Sequence, residues 1–173
     1  MDYLTKSVSR KTLRKYSMIL RELFDVNEHE PFPVLEALEK VPKVFKGCDY
    51  IVVEDSKLSK NTPARCVVTD GGYLIEIKNS VYMGAYEKKI GAYMGFICHE
   101  ICHIFLFKIG YTPIFERSFK ENELRPFESV EWQAKALCGE VMMPYDDTSK
   151  MRVQEIMDAY HVSKGFAKNR KKY

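Results

Sequence analysis

The sequence predicts one small α+β domain: a short, three-stranded, mainly antiparallel sheet packed on one long helix, with further helices at both ends. Three observations carry that reading. Short β-rich runs gather in the middle of the chain, at residues 50–53, 64–69 and 73–77. A long stretch, residues 84–108, follows them and repeats apolar residues at helical spacing. The strands do not alternate with helices, which argues against a doubly wound sheet. The 173 residues can bury a real core as a single domain. Within it, residues 1–45 read as a helical lead-in, 46–145 as the core and 146–173 as a helical tail.

Composition narrows the class. With 46% hydrophobic and 29% charged residues the chain is ordinary globular protein, not a disordered one. A net charge of +3 gives no nucleic-acid footprint. Five cysteines form an odd, scattered set, which suits a reducing, cytoplasmic setting. Residues 1–6 lack the apolar run of a signal peptide. From Ile90 to Phe107 no Lys or Arg occurs, close to the length of a membrane span. Yet His99, Glu100 and His103 at its middle would be costly in lipid, so a helix buried in a soluble core is expected and no membrane contact.

Taken in order, residues 9–24 are amphipathic. Leu13, Tyr16, Leu20, Leu23 and Phe24 make the apolar stripe, Ser9 can cap the start, and Arg10, Lys11, Arg14, Lys15 and Arg21 decorate a solvated face. Pro31-Phe32-Pro33 interrupts the chain, and a short helix over 33–41 follows with Pro33 in its first turn. Asp70-Gly71-Gly72 between the second and third strands reads as a hairpin turn. An edge strand beside the site could take an extended peptide by β-augmentation.

Inside the long helix, His99-Glu100-Ile101-Cys102-His103 is an H-E-x-x-H pattern. Two imidazoles four apart share one helix face and can hold a single Zn²⁺ from one side. Glu100 is turned about 100° from His99, so it can reach a water at the metal without being a ligand. Ile90, Tyr93, Met94, Ile97, Ile101 and Ile104 form the core side, and Gly110 is placed to end the helix. Cys98 and Cys102 also stand four apart; they read as small buried hydrophobes, with a thiolate metal site as the alternative.

Residues 109–127 read as a long connection, either lid or plain surface. Residues 127–143 return to helix, closed by Pro144. A catalytic zinc needs a third protein ligand, and Glu128 and Glu131 share one face of this helix. Ala134 and Cys138 continue that face with small side chains and allow close approach to the metal helix, which favours Glu131. In the tail, Met151, Ile156, Met157 and Tyr160 make a stripe, His161-Val162-Ser163 breaks it, and Ser163 can cap residues 164–172. Lys164, Lys168, Arg170, Lys171 and Lys172 make the end basic. Without a full three-helix unit, direct nucleic-acid binding is not expected.

The run His99-Glu-x-x-His103, then Glu131-x-x-Ala134, Met142-Met143-Pro144 and Val162-Ser163 resembles the ImmA/IrrE metallopeptidases over roughly residues 85–170. The resemblance implies a zincin-like peptidase of bacteria, phages and mobile elements that cleaves or inactivates a helix-turn-helix repressor. By position it implies His99, His103 and Glu131 as metal ligands and Glu100 as general base. The sequence departs from the family pattern at Cys102, where glycine is common, at Lys135, where asparagine is common, and at Leu137-Cys138, where Phe-Ala is usual. Residues 1–45 match no named pattern.

The expected activity is therefore hydrolysis of a peptide bond, with zinc as cofactor and manganese as the alternative ion. An oxyanion donor should come from Tyr111, Tyr145 or His161, among which the sequence does not choose. A non-proteolytic antirepressor or sensor, using the same metal fold only to bind its partner, is the rival expectation. Oligomeric state has no signature in the sequence.

Overall fold

The computed structural model describes residues 2–114 and 125–173. Helix α1 (Arg10–Leu23) starts where the Ser9 hydroxyl accepts the Thr12 N–H. Leu13, Leu20 and Phe24 are buried as expected, but Leu23 is exposed. Arg21, expected on the solvated face, is buried instead. Its guanidinium donates to the carbonyls of Val141 (2.8 Å), Asn27 (2.8 Å) and Glu30 (2.6 Å), which offsets the cost of burying the charge. Helix α2 (Val34–Val44) runs a turn further than expected, through Pro42, and Pro33 stands at its N-cap.

Strands β1 (Cys48–Val53), β2 (Ala64–Thr69) and β3 (Gly72–Lys78) form one sheet in the order β1-β3-β2. The β2–β3 hairpin is antiparallel and turns at Asp70-Gly71, with Gly71 at φ 95°. β1 pairs with β3 in parallel, so the sheet is mixed, with one pair of each kind. Two-residue hairpins impose antiparallel pairing only on neighbouring strands; β1 reaches β3 by a longer connection. Within that connection, the Lys78 ammonium donates to the carbonyls of Ser59 (2.7 Å) and Lys60 (3.3 Å).

The long helix expected over 84–108 is two helices, α3 (Asn79–Lys88) and α4 (Gly91–Lys108). Lys89 takes the left-handed conformation (φ 53°) and its N–H returns to the Gly84 carbonyl. α3 then folds back on α4. A Cβ at Gly84 would lie 2.5 Å from the Tyr93 ring, so the contact requires glycine. Gly110 (φ 89°) follows the end of α4 as expected. Residues 97–106 of α4 are buried on nearly every face, with the imidazole of His99 as the partial exception. Among the described residues no helix is long and apolar enough to cross a membrane.

Of the connection over 109–127, residues 115–124 lie outside the described residues. A 3-10 turn (Pro126–Glu128) precedes α5 (Val130–Met142), which starts three residues later than expected because Ser129, not an earlier residue, caps it through the Trp132 N–H. α6 (Tyr145–Thr148), α7 (Val153–Tyr160) and α8 (Lys164–Arg170) follow, with His161 (φ 55°) and the Ser163 cap making the anticipated break.

α4 is the centre of the molecule. It packs on β2 and β3 on one side and on α5 on the other, and α1 covers α5. Residues 2–8 form a strap across the start of α5. Thr5 N–H donates to Glu128 O (2.8 Å), Val8 N–H to Phe127 O (3.0 Å) and Val130 N–H to Tyr3 O (3.0 Å). Gln133 Nε2 holds the Lys6 and Phe127 carbonyls, each at 2.8 Å.

Candidate metal centre

α4 delivers His99 and His103 one turn apart, with ring centroids 4.5 Å from each other and nearly perpendicular planes. α5 delivers Glu131 from its first turn. Two groups fix that turn: Ser129 at the cap, and Asp2, whose carboxylate accepts the Glu131 N–H (3.1 Å) and the Ser129 hydroxyl (2.5 Å). Ala134 and Cys138 are buried on the same helix, and their small size brings α5 close to α4.

Glu131 Oε1 lies 3.3 Å from His103 Nε2, and Glu131 Oε2 lies 3.5 Å from His99 Nε2. One ligand atom from each of the three residues fits within a 4.8 Å triangle. Glu128 sits in the 3-10 turn, is half-buried, and is not part of the cluster. The sequence put both glutamates on one helix face; the later helix start separates them.

Electrostatics favour a cation here. His99 Nδ1 is 3.2 Å from Glu100 Oε1. With the Glu100 carboxylate accepting from the Nδ1 side, Nε2 keeps its lone pair. Among the described residues that buried Nε2 has no hydrogen-bond partner, and it faces the carboxylate of Glu131. Two electron-rich atoms aimed at each other repel unless a positive ion stands between them. The hydrogen bond from His103 holds the Glu131 carboxyl down to about 2, with Lys135 adding to it and burial opposing. Glu131 is therefore ionised at any pH at which imidazoles ligate. A divalent ion with a His₂Glu preference fits this donor set.

Glu100 is buried beside His99. Across from it, Cys66 on β2 is close enough for the Glu100 charge to act on its thiol, which burial above all pushes far up. Of the sheet's two edge strands, β2 is the one packed more closely on α4, a placement the sequence did not give. The wall continues from His103 to Phe107 (5.5 Å) and on to Tyr73 of β3 (5.1 Å).

Two of the three oxyanion candidates make contacts elsewhere. Tyr111 hydroxyl pairs with Tyr16 at 3.1 Å, and the Tyr145 ring lies under Arg14 and Arg170. His161 is an exposed cap residue of α7. Asp2 was missed from the sequence: its partners are 127 and 129 residues away, and no local pattern announces such a contact.

Residues 94–172, which contain every residue of the cluster, match the family model of the IrrE N-terminal-like domain, Peptidase_M78. No curated protein matches the chain.

Proposed function

We propose that this protein, whose residues 94–172 match the family model of the IrrE N-terminal-like domain, Peptidase_M78, is a zinc-dependent endopeptidase acting on a helix-turn-helix transcriptional repressor. His99, His103 and Glu131 hold the ion, and Glu100 is the general base. The observation that carries the reading is the buried His99 Nε2, without a hydrogen-bond partner among the described residues and facing the Glu131 carboxylate at 3.5 Å. The repressor as substrate follows the resemblance of the motif blocks to the ImmA/IrrE metallopeptidases.

Glu131 and the two imidazoles would hold a zinc ion from two different helices, and it would supply a Lewis acid able to polarise the scissile carbonyl and acidify water. Glu100 takes a proton from the attacking water on its carboxylate and passes it to the leaving nitrogen. Its burial keeps competing solvent away from the proton in transit. The free edge of β2, which pairs only with β3 among the described residues, is the place for an extended segment of substrate.

The test incubates the zinc-loaded protein with the repressor encoded beside it, with and without chelator. Two fragments are expected, and none with chelator present. Glu100→Gln should keep its metal and lose cleavage by about 100- to 10,000-fold. Glu131→Ala should lose metal on dialysis far more than Glu128→Ala. If Glu100→Gln cuts as fast as the parent, the base assignment fails. If repression is relieved without fragments and survives Glu100→Gln, the non-proteolytic antirepressor is correct instead.

A further inference from the structure

α4 and α5 meet in a second convergence that the metal centre does not use. Cys98 and Cys102 each stand one residue ahead of a histidine on α4, and Cys138 stands seven residues after Glu131 on α5. One residue turns a helical side chain by about 100°, so the thiols form their own stripe beside the imidazoles. All three side chains are at most 1% exposed, and their sulfurs lie within 4.8 Å of one another. Met142 adds a thioether: its Sδ is 3.8 Å from Cys138 Sγ.

A buried cysteine is ordinarily a small hydrophobe, and two of them four apart would need no further explanation. Three sulfurs in one triangle with a thioether at its side make a donor set of a single chemistry. Hard cations need oxygen ligands, and zinc completes a tetrahedron from nitrogen, oxygen or thiolate rather than thioether. A soft ion of low coordination number is satisfied by thiolate and thioether alone. With metal–sulfur bonds of about 2.3 Å, a trigonal ion holds its sulfurs about 4 Å apart, a small contraction of the triangle present.

We propose that Cys98, Cys102 and Cys138, with Met142 beside them, form a second ion site between α4 and α5 that takes monovalent copper. The ion enters and stays as Cu(I); no electron moves, and each ligating thiol gives its proton to solvent. The charged groups that act on the thiols are Arg21, on Cys98, and Glu100, on Cys102 and Cys138. They are of opposite sign, so the site is close to neutral before the ion arrives. Copper there pins α4 to α5, the two helices whose spacing sets how far Glu131 stands from the imidazoles.

The test is an anaerobic titration of the full chain with Cu(I) against a chromogenic Cu(I) chelator. One ion per chain should be withheld from the chelator by the parent, by Cys48→Ser/Cys66→Ser and by His99→Ala. X-ray absorption of that copper should show a sulfur-only shell. Cys138→Ser and Cys98→Ser/Cys102→Ser should each bind at least tenfold more weakly. The proposal is overturned if the chelator strips the parent as readily as the Cys98→Ser/Cys102→Ser/Cys138→Ser variant, or if His99→Ala abolishes retention. The parent measurement is decisive by itself, so a variant that fails to fold does not shelter the idea. The His99→Ala arm separates this site from the peptidase centre.

Discussion

Glu131 is a carboxylate with 40% of its side chain exposed, yet it stays ionised far into acid. Its pKa falls from the ordinary 4.5 to about 2 on folding, so its contribution to stability is fully present above pH 4.5 and is lost as pH falls through about 2. In the metal-free protein, Glu131→Gln should therefore be less stable than the parent at pH 5, and the gap should close between pH 4.5 and pH 2. Urea denaturation at three pH values reads it, and a gap that does not narrow would mean that the imidazoles are not what holds the carboxyl down. Solvent reaches the pair and screens it, so the effect is modest. Two of the three clustered residues were legible from spacing, because a helix turns i and i+4 to one side whatever its surroundings. Choosing Glu131 over Glu128 rested on the small residues Ala134 and Cys138, and those two are indeed buried in α5 beside α4. The thiol triangle was half visible: Cys98 and Cys102 announce themselves, but the partner on another helix does not.

Helices were legible where a cap or a break is written locally, as at Ser9, Gly110 and Ser163. The break between α3 and α4 was not. No proline marks it, the apolar periodicity runs straight across, and a lysine adopts the left-handed turn because Gly84 and Tyr93 lock the two helices together. The parallel β1–β3 pairing was also hidden, since it depends on which strand the long connection delivers to the sheet. Tertiary charge is equally silent in sequence. Glu140 on α5 is 1% exposed, and its Oε1 receives Arg14 Nε of α1 (3.3 Å) and Arg170 Nη1 of α8 (2.9 Å), with Arg10 at 3.6 Å. Arg170, one of the basic tail residues, is thus an internal tie between helices. Glu140→Ala leaves its guanidinium buried without a counter-charge and should cost about 3–5 kcal/mol in chemical denaturation. A loss below about 1 kcal/mol would show that the helices hold without the ion cluster.

On the scale of the whole molecule, the cluster of His99, His103 and Glu131 depends on residues 2–8. Asp2 fixes the first turn of α5, the turn that aims Glu131, and residues 3–8 strap the connection in front of it. Asp2→Ala should lower stability by about 1 kcal/mol, as loss of a capping carboxylate does, and should speed zinc loss in a competition with chelator. Unchanged zinc retention would mean that Ser129 alone sets the helix start. The strap also orders events during synthesis. Residues 2–8 are made well before their partners and have nothing to bind until residue 133 has emerged. A nascent chain stalled between α4 and α5 would carry both histidines with no carboxylate opposite them, and competence would arrive in a single late step.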